Sequence, residues 1–161
     1  MIHYLENSGE LYSVNFKNVI SSWTTAYNFR TNDLNELISA VEVSASGTNK
    51  TIRLMESIPH NVSESTDWGR AIGSYYCSIT CTYRKTGQTY IASVVYELHD
   101  VYDWDRTITS MGNLPISPSQ LWELHHGGYA KNFEVFGSNT FTMTWTAGQS
   151  MENGVVISNE N

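Results

Sequence analysis

Between residues 75 and 98 the chain alternates, and this limits its fold more than any other feature. Tyr75, Cys77, Ile79, Cys81 and Tyr83 occupy every second position, and Ser and Thr fill the gaps from residue 78 on. The segment Arg84-Lys85-Thr86-Gly87-Gln88 breaks the run. Tyr90, Ala92, Val94, Tyr96 and Leu98 then resume it. A period of two places each set on one face of a strand, and two such strands joined by a short turn pair antiparallel. Composition agrees. Aromatics reach 12%, while charged residues are only 16% against the ~25% of an average domain.

Other segments change period. Phe16, Val19, Ile20 and Trp23 fall on one helical face, and so do Leu34, Leu37, Ile38 and Val41. Asp33 with Glu36 reads as a capping box opening the second helix. The run 43–50 ends it, and 50–58 reads as a strand before Pro59 and a polar loop at 60–67. Ser117, Pro118 and Gln120 open a short helix that Gly127-Gly128 closes. Strands at 132–136 and 140–146 follow, with Gly137-Ser138-Asn139 as their turn. The expected fold is α+β. N-terminal helices precede a curved antiparallel sheet or open β-barrel with one short helix inserted. All 161 residues form one domain: a helical part at 1–48, a β-rich part at 50–146 and a loose polar tail at 147–161.

Several functions are disfavoured. The formal charge of −7 repels phosphate backbones, and Arg84-Lys85 is the only adjacent basic pair, so no nucleic-acid partner is expected. The opening "MIHYLENSGE" has neither the basic start nor the apolar core of a signal peptide. No apolar run nears the ~18 residues of a membrane span. Cys77 and Cys81 on one strand would stand ~13 Å apart at ~3.3 Å per residue, beyond a disulfide's reach. They read as two buried free thiols.

Chemistry concentrates in "LHDVYDWDRT", residues 98–107. Asp100, Asp103 and Asp105 crowd beside Tyr102, Trp104 and Arg106 where the second hairpin strand ends. Carboxylates at a fraying strand end suit an oxygen-rich cation site, and Mg²⁺ takes a few carboxylates plus water and phosphate. The plainer alternative is a polar turn, for which Asp-Trp-Asp is good chemistry. A calcium loop counted from Asp103 fails, because Ile108 and Leu114 stand where its glycine and bidentate glutamate belong. His125 and His126 lie on the short helix at roughly 100° to each other, so at most one faces a shared site. His125, just before the Gly-Gly break, is the stronger candidate. No nucleophile elbow or phosphate-cradling glycine loop is present.

"HYLENSGELYSVNFKNV" (3–19), the hairpin running into Asp100-Val101-Tyr102-Asp103-Trp104, and "GYAKNFEVFG" (128–137) together resemble the activity domain of colicin M-like bacteriocins, in the same order. The resemblance implies an open-barrel α/β domain. Its activity would be Mg²⁺-dependent hydrolysis of lipid II, the undecaprenyl-pyrophosphate-linked peptidoglycan precursor. The cut falls between lipid and pyrophosphate, at the outer face of the target's cytoplasmic membrane. Asp103 becomes the key catalytic carboxylate, with Asp100 and Tyr102 in support. The chain departs from the family in lacking a His-Arg pair after the second aspartate; the residues there are "WDRTITSMG".

The chemistry that follows is an expectation. Asp103 and Asp100 hold Mg²⁺, which neutralises the leaving diphosphate. Arg106 or Lys131 binds a non-bridging oxygen, His125 serves as base, and Trp104 or Trp122 holds the prenyl chain. The protein would be a secreted monomer, an excised toxin domain or a minimal toxin, with a separate immunity protein in the producer. Competing expectations are a metal-dependent nuclease toxin and a non-catalytic carbohydrate- or wall-binding β-module.

Overall fold

Asn15 starts the first helix. Its side-chain carbonyl accepts from the Asn18 N–H at 3.0 Å, satisfying a donor that the helix itself leaves open. The structure, a computed structural model, describes residues 6, 8–44, 50–61, 68, 72–102 and 117–161, with backbone alone at 50–57 and 118. Helix α1 spans Phe16–Ser22 and α2 spans Thr24–Val43. Phe16, Val19, Ile20 and Trp23 are buried as the periodicity required.

Asp33 does not cap a second helix. It lies in the middle of α2, whose preceding turns contain no Gly or Pro to stop them. Its carboxylate is buried and accepts from the Tyr96 hydroxyl at 2.6 Å.

Six strands and three helices are present among the described residues. The strands are β1 (Tyr12–Val14), β2 (Lys50–His60), β3 (Tyr75–Thr86), β4 (Thr89–Tyr102), β5 (Phe133–Thr146) and β6 (Val156–Ser158), with α3 at Pro118–His126. The sheet order is β1-β5-β4-β3-β2, and β6 also pairs with β5. It is open and mostly antiparallel, as the α+β reading required. β1 lies parallel to β5, Tyr12 opposite Val135, and β6 lies antiparallel to it, Met143 opposite Ile157. β3 and β4 form the expected hairpin. Its two-residue turn begins with Gly87 at φ +61°, which glycine adopts without strain.

β5 is one continuous strand rather than two. Gly137-Ser138-Asn139 make no turn, and the alternation runs through them: Gly137 and Asn139 lie buried between Val135 and Phe141.

The chain divides into two compact units. One comprises 1–14, 59–76 and 98–137. Its core includes Tyr75, Leu98, Leu121 and Val135, with Tyr102 stacked on Phe133 at 4.9 Å between ring centroids. The other comprises 15–58, 77–97 and 138–161. There Phe16 stacks on Tyr96 at 5.2 Å and Tyr90 on Trp145 at 5.1 Å. Each such side chain contributes about 1.5–3 kcal/mol by leaving water. Glu42 accepts from the Trp145 indole N–H at 3.1 Å and from the Gly148 N–H at 3.0 Å. Cys77 and Cys81 are free and buried, as expected. Burial pushes the Cys77 thiol, hydrogen-bonded to Tyr96, far above the ordinary range. The Tyr96 hydroxyl is raised for the same reason.

The tail beyond Gln149, expected to be loose, is tied down. β6 pairs with β5, and Asn161 exchanges two backbone hydrogen bonds with Thr140. Glu160 pairs with buried Arg30 at 2.8 Å, and Arg30 sits 4.5 Å over the Phe141 ring. Burial lowers the Arg30 pKa, and Glu160 opposes that shift. Polar composition hid this, because the tail is held by backbone pairing and one charge pair rather than by an apolar face.

Glu160→Ala leaves the Arg30 guanidinium without its carboxylate. It should cost about 2 kcal/mol, seen as a fall of roughly 4–8 °C in the thermal midpoint. An unchanged midpoint would restore the loose tail. Both cysteines should resist a thiol reagent in the native protein at pH 8 and react fully in denaturant. Fast native labelling of Cys77 would contradict its burial.

Candidate functional site

β4 continues past the hairpin core to Tyr102, and its alternation never breaks. Leu98, Asp100 and Tyr102 therefore share the inner face, while His99 and Val101 point to the other. Ser78 donates to Glu97 at 3.1 Å across β3 and β4. With the two-residue turn, that bond sets the register in which Tyr76 stands opposite His99. On the other side of β4, the ring pairs His99–Phe136 (5.0 Å) and Tyr102–Phe133 follow one antiparallel register with β5. Tyr76, His99 and Phe136 thus form a row across three strands.

The outer face changes character along its length. On β3 and β5 it carries Ser78, Thr80, Thr82, Ser138, Thr140, Thr142 and Thr144, the surface of a sheet facing water. At the β4 end it carries Tyr76, Val101 and Phe136, with Leu11 just before β1. Leu11, Tyr76 and Val101 are each more than half exposed. These residues line a groove of about 460 Å³ together with His99, Asp100, Glu134 and Val135. A smaller hollow of about 260 Å³ shares Leu11, Val101 and Glu134 and adds Gly9, Asn132 and Phe133.

The sequence-predicted residues are distributed as follows. Asp100 is half-buried and lines the groove. Tyr102 is buried against Phe133, so it fixes the strand end and does not line the groove. Lys131 lies over Gly9 at the smaller hollow, its Nζ donating to the Ser8 carbonyl at 3.5 Å. Gly9 lies at φ +65°, a backbone conformation that a side chain would strain, and a Cβ there would also push the end of Lys131 aside. His125 sits in the last turn of α3, which Ser117 caps as expected. Its Nδ1 is buried with no hydrogen-bond partner among the described residues, and it does not line the groove. Trp122 stacks on His126 at 3.9 Å. Asp103, Trp104, Asp105 and Arg106 lie outside the described residues.

Two groove residues escaped the sequence reading, His99 and Glu134. Both sit at outward positions of strands that had been read for their inward face. The signal available was an imidazole directly before Asp100, at the end of a strand read as running into the acidic cluster.

Asp100 and Glu134 are hard oxygen donors of the kind Mg²⁺ takes. Among the described residues, no group of three metal ligands includes either of them. The strand alternation puts Asp100 on the inner face and Glu134 on the outer one, so these two do not make a magnesium site by themselves. Comparison with protein families, with curated proteins and with solved structures finds no match for the chain.

Val101→Asp tests whether the groove is an apolar surface that binds. The position is exposed, so the thermal midpoint should move by no more than about 2 °C. Fluorescence of an apolar dye such as ANS should drop with it. Unchanged dye binding would place the apolar surface elsewhere.

Proposed function

We propose that the chain is an antibacterial hydrolase of lipid II, which cuts the precursor between its prenyl chain and its pyrophosphate and so halts wall synthesis. One observation carries the reading: an exposed apolar groove at the end of the sheet, with Asp100 and Glu134 among the residues that border it. An amphiphile with a long apolar chain and an anionic head needs that combination. Each prenyl methylene leaving water on the groove contributes about 0.8 kcal/mol.

In this reading Leu11, Tyr76, Val101 and Phe136 take the chain beside the head group. Asp103 with Asp100 would hold Mg²⁺, which would supply charge neutralisation for the leaving diphosphate. Lys131, beside the smaller hollow, offers a cation to a non-bridging oxygen. Tyr102 holds the end of β4 in place through its stack on Phe133. Arg106 is the second cation the resemblance leaves available. The protein would act as a secreted toxin at the outer face of the membrane, and its producer would need an immunity protein.

The test is labelled lipid II incubated with the full chain, with Mg²⁺ or with EDTA. Wild type should release polyprenol with Mg²⁺ only, and Asp103→Ala should lower the rate about 10²-fold or more. No polyprenol under any divalent ion removes the proposal. Cleavage of plasmid DNA or total RNA instead would favour the nuclease. Wall binding that survives Asp103→Ala without turnover would favour the non-catalytic module.

A further inference from the structure

We propose that Asn153 is a site of spontaneous modification, at which the Gly154 amide nitrogen closes on the Asn153 side chain and expels ammonia. Asn153-Gly154 is the only Asn-Gly pair in the chain. Both residues are exposed, in the turn that leads into β6. The main chain of Asn153 is pinned. Its N–H donates to the Ser150 carbonyl at 2.9 Å, and its carbonyl accepts from the Ser150 N–H at 3.2 Å. Its side-chain amide and the Gly154 N–H have no hydrogen-bond partner among the described residues. Electrophile and nucleophile are thus unengaged neighbours in one chain, and a reaction within one molecule waits for no second reactant to arrive.

The fold itself demands this vulnerable pair. Gly154 sits at φ +91°, where a side chain is strained. A Cβ there would also meet the Gln149 side-chain amide, whose Oε1 accepts from the Thr146 N–H at 2.7 Å. Glycine is therefore required, and it puts nothing between its own nitrogen and Asn153 Cγ. The asparagines at other internal positions are each followed by a residue with a side chain.

The step balances. The Gly154 nitrogen, its proton passed to solvent, bonds to Asn153 Cγ. The bond from Cγ to the side-chain nitrogen breaks, and that nitrogen leaves as ammonia with a proton from solvent. Water then opens the five-membered succinimide. Attack at Cγ leaves aspartate on the ordinary main chain. Attack at the main-chain carbonyl carbon leaves isoaspartate, whose main chain runs through Cγ and is one carbon longer. That extra atom breaks the reciprocal Ser150–Asn153 pair. The same turn carries Met151, whose N–H donates to Asn35 Oδ1 at 2.8 Å, and Glu152, which accepts from Asn35 Nδ2 at 3.1 Å. The modification therefore loosens the attachment of this turn to α2.

The experiment holds the full chain at pH 9 and 37 °C and maps its peptides by mass spectrometry, with aspartate and isoaspartate resolved. Asn153 should convert from amide to acid about tenfold or more faster than any other asparagine. Isoaspartate should be among the products, and Asn153→Gln should suppress the reaction at this position. The aged wild type should unfold about 2–4 °C below the fresh protein. Asn153→Asp, which adds the charge without lengthening the main chain, should fall by less. An Asn153 that stays intact while other asparagines convert overturns the proposal. Aspartate as the sole product also overturns it, because direct hydrolysis of the amide would then replace ring closure. An aged midpoint equal to that of Asn153→Asp overturns the loosening of the turn.

Discussion

Everything else in the structure depends on the unbroken alternation of β4. From Tyr90 to Tyr102 the even positions enter the core and the odd positions do not, with no bulge to reset the phase. A slip of one residue would turn six core side chains outward, so the register is strongly specified. Two ring stacks on β5 fasten it, Tyr90 on Trp145 and Tyr102 on Phe133. The same constraint sets where the polar groups at the strand end point. Asp100 and His99 are neighbours in sequence but must point to opposite faces, so the strand end offers a carboxylate from within and an imidazole from without.

Helix α2 shows how polar groups are accommodated beneath this sheet. Its buried face is apolar except for Arg30 and Asp33. Each is met by a partner from a distant part of the chain, Glu160 for Arg30 and Tyr96 for Asp33. Burying an isolated charge is costly, and removing one member of such a pair costs more than the pair contributes. The two pairs therefore act less as added stability than as a demand on where the tail and β4 must lie.

The sheet was legible because period two is a property of backbone geometry, and the hairpin's inward residues are the ones found buried. The capped helix at Ser117 was legible for a similar reason, since cap chemistry is local. The misreadings share a cause. Asp33, the Gly137-Ser138-Asn139 run and the tail each carry a local signal for a cap, a turn or a loop, and in each case a distant partner overrides it. Asn139 is buried on β5, its amide donating to the Asn161 carbonyl at 3.0 Å. At the site, Asp100 was visible as part of a charge cluster. His99 was not, because a single histidine on an outward strand position carries no pattern. Only the neighbouring strands, which bring Leu11, Tyr76 and Phe136 around it, give it a context.

Charge adds the final constraint on what this groove accepts. The chain is acidic overall, and two acidic residues, Asp100 and Glu134, line the groove. A bare anion would be repelled there, and a polar neutral ligand would gain little from Leu11, Val101 and Phe136. A ligand that gains on both counts has an apolar body and an anionic head that arrives with a divalent cation. The exposed apolar strip is itself a liability for a protein in water, since such patches promote association. Its presence on a sheet face whose β3 and β5 positions are elsewhere Ser- and Thr-rich is explained if a bound molecule covers the strip during function.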